Sequence, residues 1–237
     1  MRGVWIVIAG GVFLALGWAQ SLDPLIADPQ HYRLEFQNQW VRVIRENMGP
    51  HEKALLHHRP EPGGVVVFLT DQNIFQTQED GSTRMVRHKA GDVAWLPAGT
   101  HKGENRSDAT FESVEIDPQK SAGGATAPVS AAENKLEAAL VDPKHYHVEF
   151  ENDLVRVIRF PMEPHDKTLM HTHPSTGAVI VALTDQNTRQ TLADGTSREI
   201  RHKAGEAWWG APNIAHQDEN ASDTRSVVIR IELKPAR

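Results

Sequence analysis

The chain contains its own pattern twice. DPQHYRLEFQNQWVRVIR at 28–45 lies over DPKHYHVEFENDLVRVIR at 142–159 with twelve identities in eighteen positions and no gap. The same offset of 114 carries GPHEKALLHHRPEPGGVVVFLTDQN onto EPHDKTLMHTHPSTGAVIVALTDQN. One residue then enters the second copy, so that ENRSD (104–108) meets ENASD (219–223) at an offset of 115. Two copies make a duplicated domain and not a solenoid, whose units need at least three neighbours to bury a core. The fold is therefore one that a unit of about 90 residues completes by itself.

Inside each unit the hydrophobic period is two. Leu34 and Phe36, Val41 and Val43, and the solid run Val65–Leu69 read as strands, as do Val148 and Phe150, Val155 and Val157, and Val179–Leu183. Arg42–Arg45 and its twin 156–159 read as alternating strands with a solvated face. Turn residues separate the runs: Asp80-Gly81 and Ala90-Gly91 in one copy, Asp194-Gly195 and Ala204-Gly205 in the other. Many short strands without a sustained helical period predict an all-β barrel or sandwich. Between the copies, 117–135 is rich in Ala, Gly, Ser and Pro and reads as a linker. Asn134–Leu140 has room for a turn or two of helix. The expected layout is a signal sequence (1–19), a first unit (22–117), a linker (118–138) and a second unit (139–237).

The signal sequence is expected because Arg2 precedes an apolar run from Gly3 to about Gly17, with Gly17 and Ala19 at small-residue cleavage positions. The run is shorter than the ~20 residues of a membrane span. With no cysteine anywhere, a lipidated N-terminus, disulfides and thiolate chemistry are excluded. A periplasmic or secreted protein, with no membrane contact after cleavage, fits these features. A net charge of −6 with both signs interspersed offers no basic stripe for phosphates, which argues against nucleic acid as a partner. The expected partner is a small-molecule ligand or substrate, and a homo-oligomer is compatible with the sequence.

Thirteen histidines occur, and ten form five pairs related by the repeat: 31/145, 51/165, 57/171, 88/202 and 101/216. His171 and His173 flank one residue of an expected strand, so both point to one face. His216, on a later segment after Ala211-Pro212-Asn213, can complete a set of three. Imidazole suits Zn, Cu, Fe and Ni, and three protein ligands with open positions describe a catalytic metal site. The remaining pairs have plainer readings: His31/His145 and His88/His202 as turn or core hydrogen bonds, His51/His165 as strand-entry turns, and Trp95/Trp209 as core or barrel-mouth residues.

These residues resemble the cupin superfamily, whose motifs are G-x5-H-x-H-x(3,4)-E-x6-G and G-x5-P-x-G-x2-H-x3-N. The second copy supplies His171-Thr172-His173, Gly205, Asn213 in place of a glycine, His216 and Asn220. The first supplies His57, Gly91, Pro97, Gly99, His101 and Asn105. The resemblance spans nearly all of both copies and implies two tandem cupin-type barrels, of the double-stranded β-helix or jelly-roll kind. It also implies a metal site at His171, His173 and His216, holding one divalent ion such as Fe, Mn, Ni or Zn.

Two departures qualify it. The motif glutamate is absent, with Gly177-Ala178 and Gly63-Gly64 in its place. The three-histidine set that remains resembles the minority of cupins, thiol and diketone dioxygenases among them, that hold iron through histidines alone. Losing the carboxylate makes an anionic extra ligand more natural. In the first copy Arg59 stands where His173 stands in the second, and a guanidinium repels a cation and donates no lone pair. The first barrel is thus expected to have lost its metal, leaving Arg59, His57 and His101 as a candidate carboxylate-binding set, with His51 a further candidate partner of His57 and His101. Asp218, Glu219 and His165 are candidate acid–base groups. A non-haem oxygenase or related enzyme is one expectation; an exported module that binds a small ligand or metal without turnover is the other.

Overall fold

A computed structural model of the protein describes residues 21–119, 136–173, 176–212 and 214–234. The expected signal sequence, most of the expected linker and Asn213 lie outside the described residues. Each copy folds into the same series of strands, except that β3 of the first has no counterpart in the second. The first has a helical turn α1 (Pro24–Ala27), then β1 (Tyr32–Gln37), β2 (Val41–Met48), β3 (His57–Arg59), β4 (Gly64–Phe68), β5 (Gln72–Gln78), β6 (Thr83–His88), β7 (Val93–Leu96), β8 (Gly99–Asn105) and β9 (Phe111–Pro118). The second has α2 (Ala138–Val141), β10 (His147–Glu151), β11 (Val155–Met162), β12 (Ala178–Ala182), β13 (Gln186–Leu192), β14 (Ser197–His202), β15 (Ala207–Gly210), β16 (His216–Asn220) and β17 (Ser226–Leu233).

Two antiparallel sheets build each unit, ordered β1-β2-β9-β4-β7 with β3-β8-β5-β6, and β10-β11-β17-β12-β15 with β14-β13-β16. Alternation along the five-stranded sheets does two jobs. Val41 and Val43 of β2, Val65 and Val67 of β4, and their twins on β11 and β12 join one continuous core that spans both barrels. Residues of the opposite parity, Ile44 and Val66 or Ile158 and Ile180, face their own barrel's interior. This corrects the expectation of a solvated face on Arg42–Arg45: both faces of β2 are covered. The Arg42 and Arg45 side chains are only 12% and 10% exposed. Arg42 pairs with Asp23 and Asp117, while Arg45 pairs with Glu35 and Glu112 and crosses to the Gly205 carbonyl of the other barrel at 2.6 Å. Arg159 returns the contact at the Gly91 carbonyl, 2.7 Å away. The same patch on each copy meets its counterpart, as across a two-fold interface.

His171–His173 departs from the expected strand. A single antiparallel bridge joins His171 to His216, and the Thr172 backbone pairs instead with Leu136 and Ala138 at the entry to α2.

Candidate metal centre

His171, His173 and His216 converge inside the second barrel, all buried, with one ring nitrogen from each lying within 4.8 Å of the others. Three local features place them. Paired backbone bonds between His171 and His216, at 2.9 and 3.0 Å, set these two rings side by side with centroids 4.4 Å apart. Two-residue spacing returns His173 to the same face, 4.9 Å from the His171 ring. The register of β17 then brings Glu232 behind His173.

Each ring is fixed through its Nδ1. His171 Nδ1 donates to the Leu169 carbonyl at 2.8 Å, His216 Nδ1 to the Ile214 carbonyl at 2.7 Å, and His173 Nδ1 to Glu232 Oε1 at 2.9 Å. Carbonyl and carboxylate oxygens only accept, so the proton of each neutral ring sits on Nδ1 and the Nε2 lone pair faces the centre. Metal-ligating histidines are oriented in this way by their outer partners. Burial, then the neighbouring His216, holds His171 down to about 4; burial, then the Arg230 charge, holds His173 down to about 3. Neither ring carries a proton on Nε2 near neutrality.

Four further groups surround the triad. Tyr146 donates its hydroxyl to His171 Nε2 at 2.7 Å, and burial followed by Asp218 raises its pKa so that it stays a phenol. Asp218, two residues beyond His216, places Oδ2 3.6 Å from His216 Nε2 and accepts at Oδ1 from Gln190 at 3.1 Å. Glu232 also accepts from Arg156 and from Arg230 Nε. Burial alone would raise the Glu232 carboxyl, but His173, Arg230 and Arg156 together hold it well below the usual range. Arg230 Nη2 is buried without a hydrogen-bond partner.

His173, His216, Asp218 and Arg230 line a cavity of about 540 Å³ whose other walls include Phe160, Ile180, Trp208 and Trp209. Gly177 shows why no side chain stands at the motif glutamate position: it has φ +135°, and a Cβ there would lie 2.1 Å from the Trp209 ring.

The first barrel keeps the frame and loses the site. His57 Nδ1 bonds the Leu55 carbonyl and Nε2 meets Tyr32, as at His171. Arg59, however, is ion-paired to Glu115 at 3.1 Å, with the two side chains 7% and 8% exposed. Phe68, Leu96 and Ile74 replace Ala182, Gly210 and Thr188, and the cavity shrinks to about 40 Å³. The carboxylate expected as a ligand of Arg59, His57 and His101 is thus one the chain supplies itself, and no room remains for another. His51 joins neither ring: it lies exposed in a turn at φ 59° and pairs with Asp108, as His165 does with Asp223 at φ 61°. Glu219 pairs with Lys167, away from the triad. His31 and His145 are buried on Asp28 and Asp142.

Tyr146, Glu232 and Arg230 were not singled out from the sequence. A comparison of the two copies held a signal, since Glu115 aligns with Arg230 as Arg59 aligns with His173. His202, expected in a turn or core bond, bonds Glu206 but also stacks on Trp208 at 3.7 Å and lines the cavity.

No family model matches the chain, and no curated protein matches it. Solved structures do. A cupin 2 conserved barrel domain protein from Leptotrichia buccalis is 14% identical with a TM-score of 0.52, over 86% of this chain and 88% of that one. Oxalate decarboxylase from Bacillus subtilis is 12% identical with a TM-score of 0.57, over 83% and 68%. A variant of salicylate 1,2-dioxygenase from Pseudoaminobacter salicylatoxidans is 13% identical with a TM-score of 0.53, over 82% and 71%. Identities this low speak to fold alone, and on fold they agree with the topology: the chain is built as two cupin-type barrels in tandem.

Proposed function

We propose that the second barrel binds one divalent metal ion through Nε2 of His171, His173 and His216, and that the exported protein uses it in the oxygenation or a related conversion of a small molecule. The observation that carries this reading is the set of three Nδ1 hydrogen bonds on rings whose ligand nitrogens lie within 4.8 Å of one another, which leaves each Nε2 an acceptor; at His171 that acceptor takes the Tyr146 hydroxyl, a hydrogen bond that an ion would displace. When bound, the ion would act as a Lewis acid and template for the ligand. The chain's own groups do the rest. Tyr146 presents a hydroxyl donor, Asp218 a carboxylate that stays ionised and accepts, and Phe160, Ile180 and Trp208 an apolar wall. Three protein ligands beneath a sizeable cavity suit a catalytic ion better than a sealed structural one. The fold neighbour oxalate decarboxylase carries Mn(II) centres. Export rests on the run from Arg2 to Ala19.

Metal analysis of untagged protein tests the site. About one equivalent is expected in the wild type and none in His171→Ala. An absence of bound metal, together with no thermal shift on adding Fe, Mn, Ni or Zn, rejects the reading. Metal-dependent product formation separates an oxygenase from a barrel that holds its ligand stoichiometrically. N-terminal sequencing of the protein recovered from a bacterial periplasm tests export, with Gln20 or Ser21 the expected first residue.

A further inference from the structure

The buried guanidinium opposite His173 is paired with a carboxylate through its Nε alone. Arg230 is 7% exposed on β17 and lines the cavity above the triad. Its Nε donates to Glu232 Oε1 at 3.1 Å, but Nη2 is buried with no hydrogen-bond partner. Glu232 also accepts from Arg156, which has a second partner in Glu137, and from His173. Gly210 makes room for the head group: a Cβ at 210 would lie 3.4 Å from Arg230 Nη1, and the equivalent residue of the first barrel is Leu96.

The first barrel displays the complement. There the guanidinium is Arg59, on the triad side, and the group facing it from the equivalent of position 230 is the Glu115 carboxylate, 3.1 Å away. The pair is closed and the cavity is nearly filled. In the second barrel the cation stands on the other side of the interior, no carboxylate occupies position 230, and a space of about 540 Å³ is open. A buried guanidinium left short of an acceptor is costly, and a carboxylate is the anion whose geometry matches its fork.

We infer that the ligand of the second barrel is a small carboxylate, its carboxyl group received by the Arg230 guanidinium that lines the cavity and its apolar body lying against Phe160, Ile180 and Trp208. The inference rests on the metal-site reading only for the fate of the remaining atoms, which this pose brings to the His171, His173 and His216 face. Lining of this kind selects a carboxylate on a ring or branched chain over a fully polar dicarboxylate.

Calorimetric titration with benzoate and with its uncharged analogue benzamide tests the assignment, alongside metal analysis of the same samples. Benzoate is expected to bind the metal-loaded wild type roughly ten- to a hundred-fold tighter than benzamide, the worth of a charge-assisted hydrogen bond. Arg230→Met should erase that preference while keeping its metal, and Arg230→Lys should retain part of it. Equal binding of the two probes by metal-loaded wild type, or a benzoate preference that survives in Arg230→Met, overturns the inference and leaves the metal site standing. A benzoate preference that depends on Arg230 in protein that takes up no metal upholds the inference and rejects the metal site.

Discussion

Deleting the guanidinium of the first barrel should destabilise the protein far more than its loss of contacts would suggest, and deleting its partner as well should restore it. Arg59→Met keeps most of the aliphatic length and removes the charge. Arg59 and Glu115 are 3.1 Å apart with side chains 7% and 8% exposed, so neither can turn to water. Burial by itself would push the Glu115 carboxyl up; the Arg59 charge overrides it and holds the group below the usual range. Without Arg59 that carboxylate is left beside Glu46 and near Asp117. Breaking a buried pair from one side costs about 3–5 kcal/mol, whereas replacing both members by apolar side chains is often neutral. Arg59→Met is therefore expected to lose about 3–5 kcal/mol at pH 7, and Arg59→Met with Glu115→Leu to come back within roughly 1 kcal/mol of the wild type. The sign with pH follows. In the single variant the folded-state pKa of Glu115 lies above its unfolded value, so stability falls as pH rises and the deficit is smaller at pH 5 than at pH 7. Urea-unfolding midpoints of the wild type, both single variants and the double variant give the coupling energy. A single-variant cost below about 1 kcal/mol, or a double variant no more stable than Arg59→Met, refutes the argument that this pair is an internally satisfied substitute for a bound ion.

Two shorter predictions follow from the same interior. Arg59→His restores a third imidazole beside His57 and His101, whose frame still matches the second barrel, so metal content should rise from one equivalent toward two; content fixed at one would mean that the smaller cavity, and not the guanidinium, excludes the ion. Glu46 is raised to about 7 by burial and then by the Glu115 charge, against the opposing bonds from Tyr32 and Ser113. Its folded pKa lies above its unfolded one, so the contribution is present at low pH and is lost as pH climbs through the window from about 4.5 to about 7. Glu46→Gln, which can still accept from Tyr32, should flatten that fall by on the order of 3 kcal/mol, and parallel stability–pH curves for the two proteins would contradict it.

Strand periodicity and turn residues revealed the barrels because a half-buried strand writes its alternation locally. The duplication then showed that the unit is complete in about 90 residues. The triad was legible for the same reason: a strand-like His-x-His and a later histidine at motif spacing need no knowledge of which strands are neighbours. Arg45 was misread because alternation marks two faces without saying what covers them, and here the second cover is another barrel. Tyr146, Glu232 and Arg230 stayed hidden for a related reason. Glu232 reaches His173 across 59 positions of sequence, through the register of β17 against β12 and β11, and no local pattern encodes that register. The loss of the motif glutamate was visible in the sequence, but its cause was not. Only the Trp209 ring, packed where a Gly177 side chain would begin, accounts for it.

The interiors of the two copies differ in where each keeps its buried guanidinium. In the first barrel the guanidinium occupies the position of His173 and is paired with Glu115 in a nearly filled interior, with Arg59 Nε left without a hydrogen-bond partner. In the second it stands on the far wall, paired with Glu232 through Nε while Nη2 has no acceptor; each such orphaned group costs about 1–3 kcal/mol. An open cavity is a weak point in a barrel, and the inter-barrel contacts lie where they can support it. Arg45 of the first barrel holds the Gly205 carbonyl, in the turn that leads directly into β15, the strand that turns Trp208 to the cavity and packs Trp209 against the shared core. The shared valine and isoleucine core backs the same sheet from behind. On the proposed reading the first barrel, its interior nearly filled, is thus a support for a neighbour that keeps an open pocket.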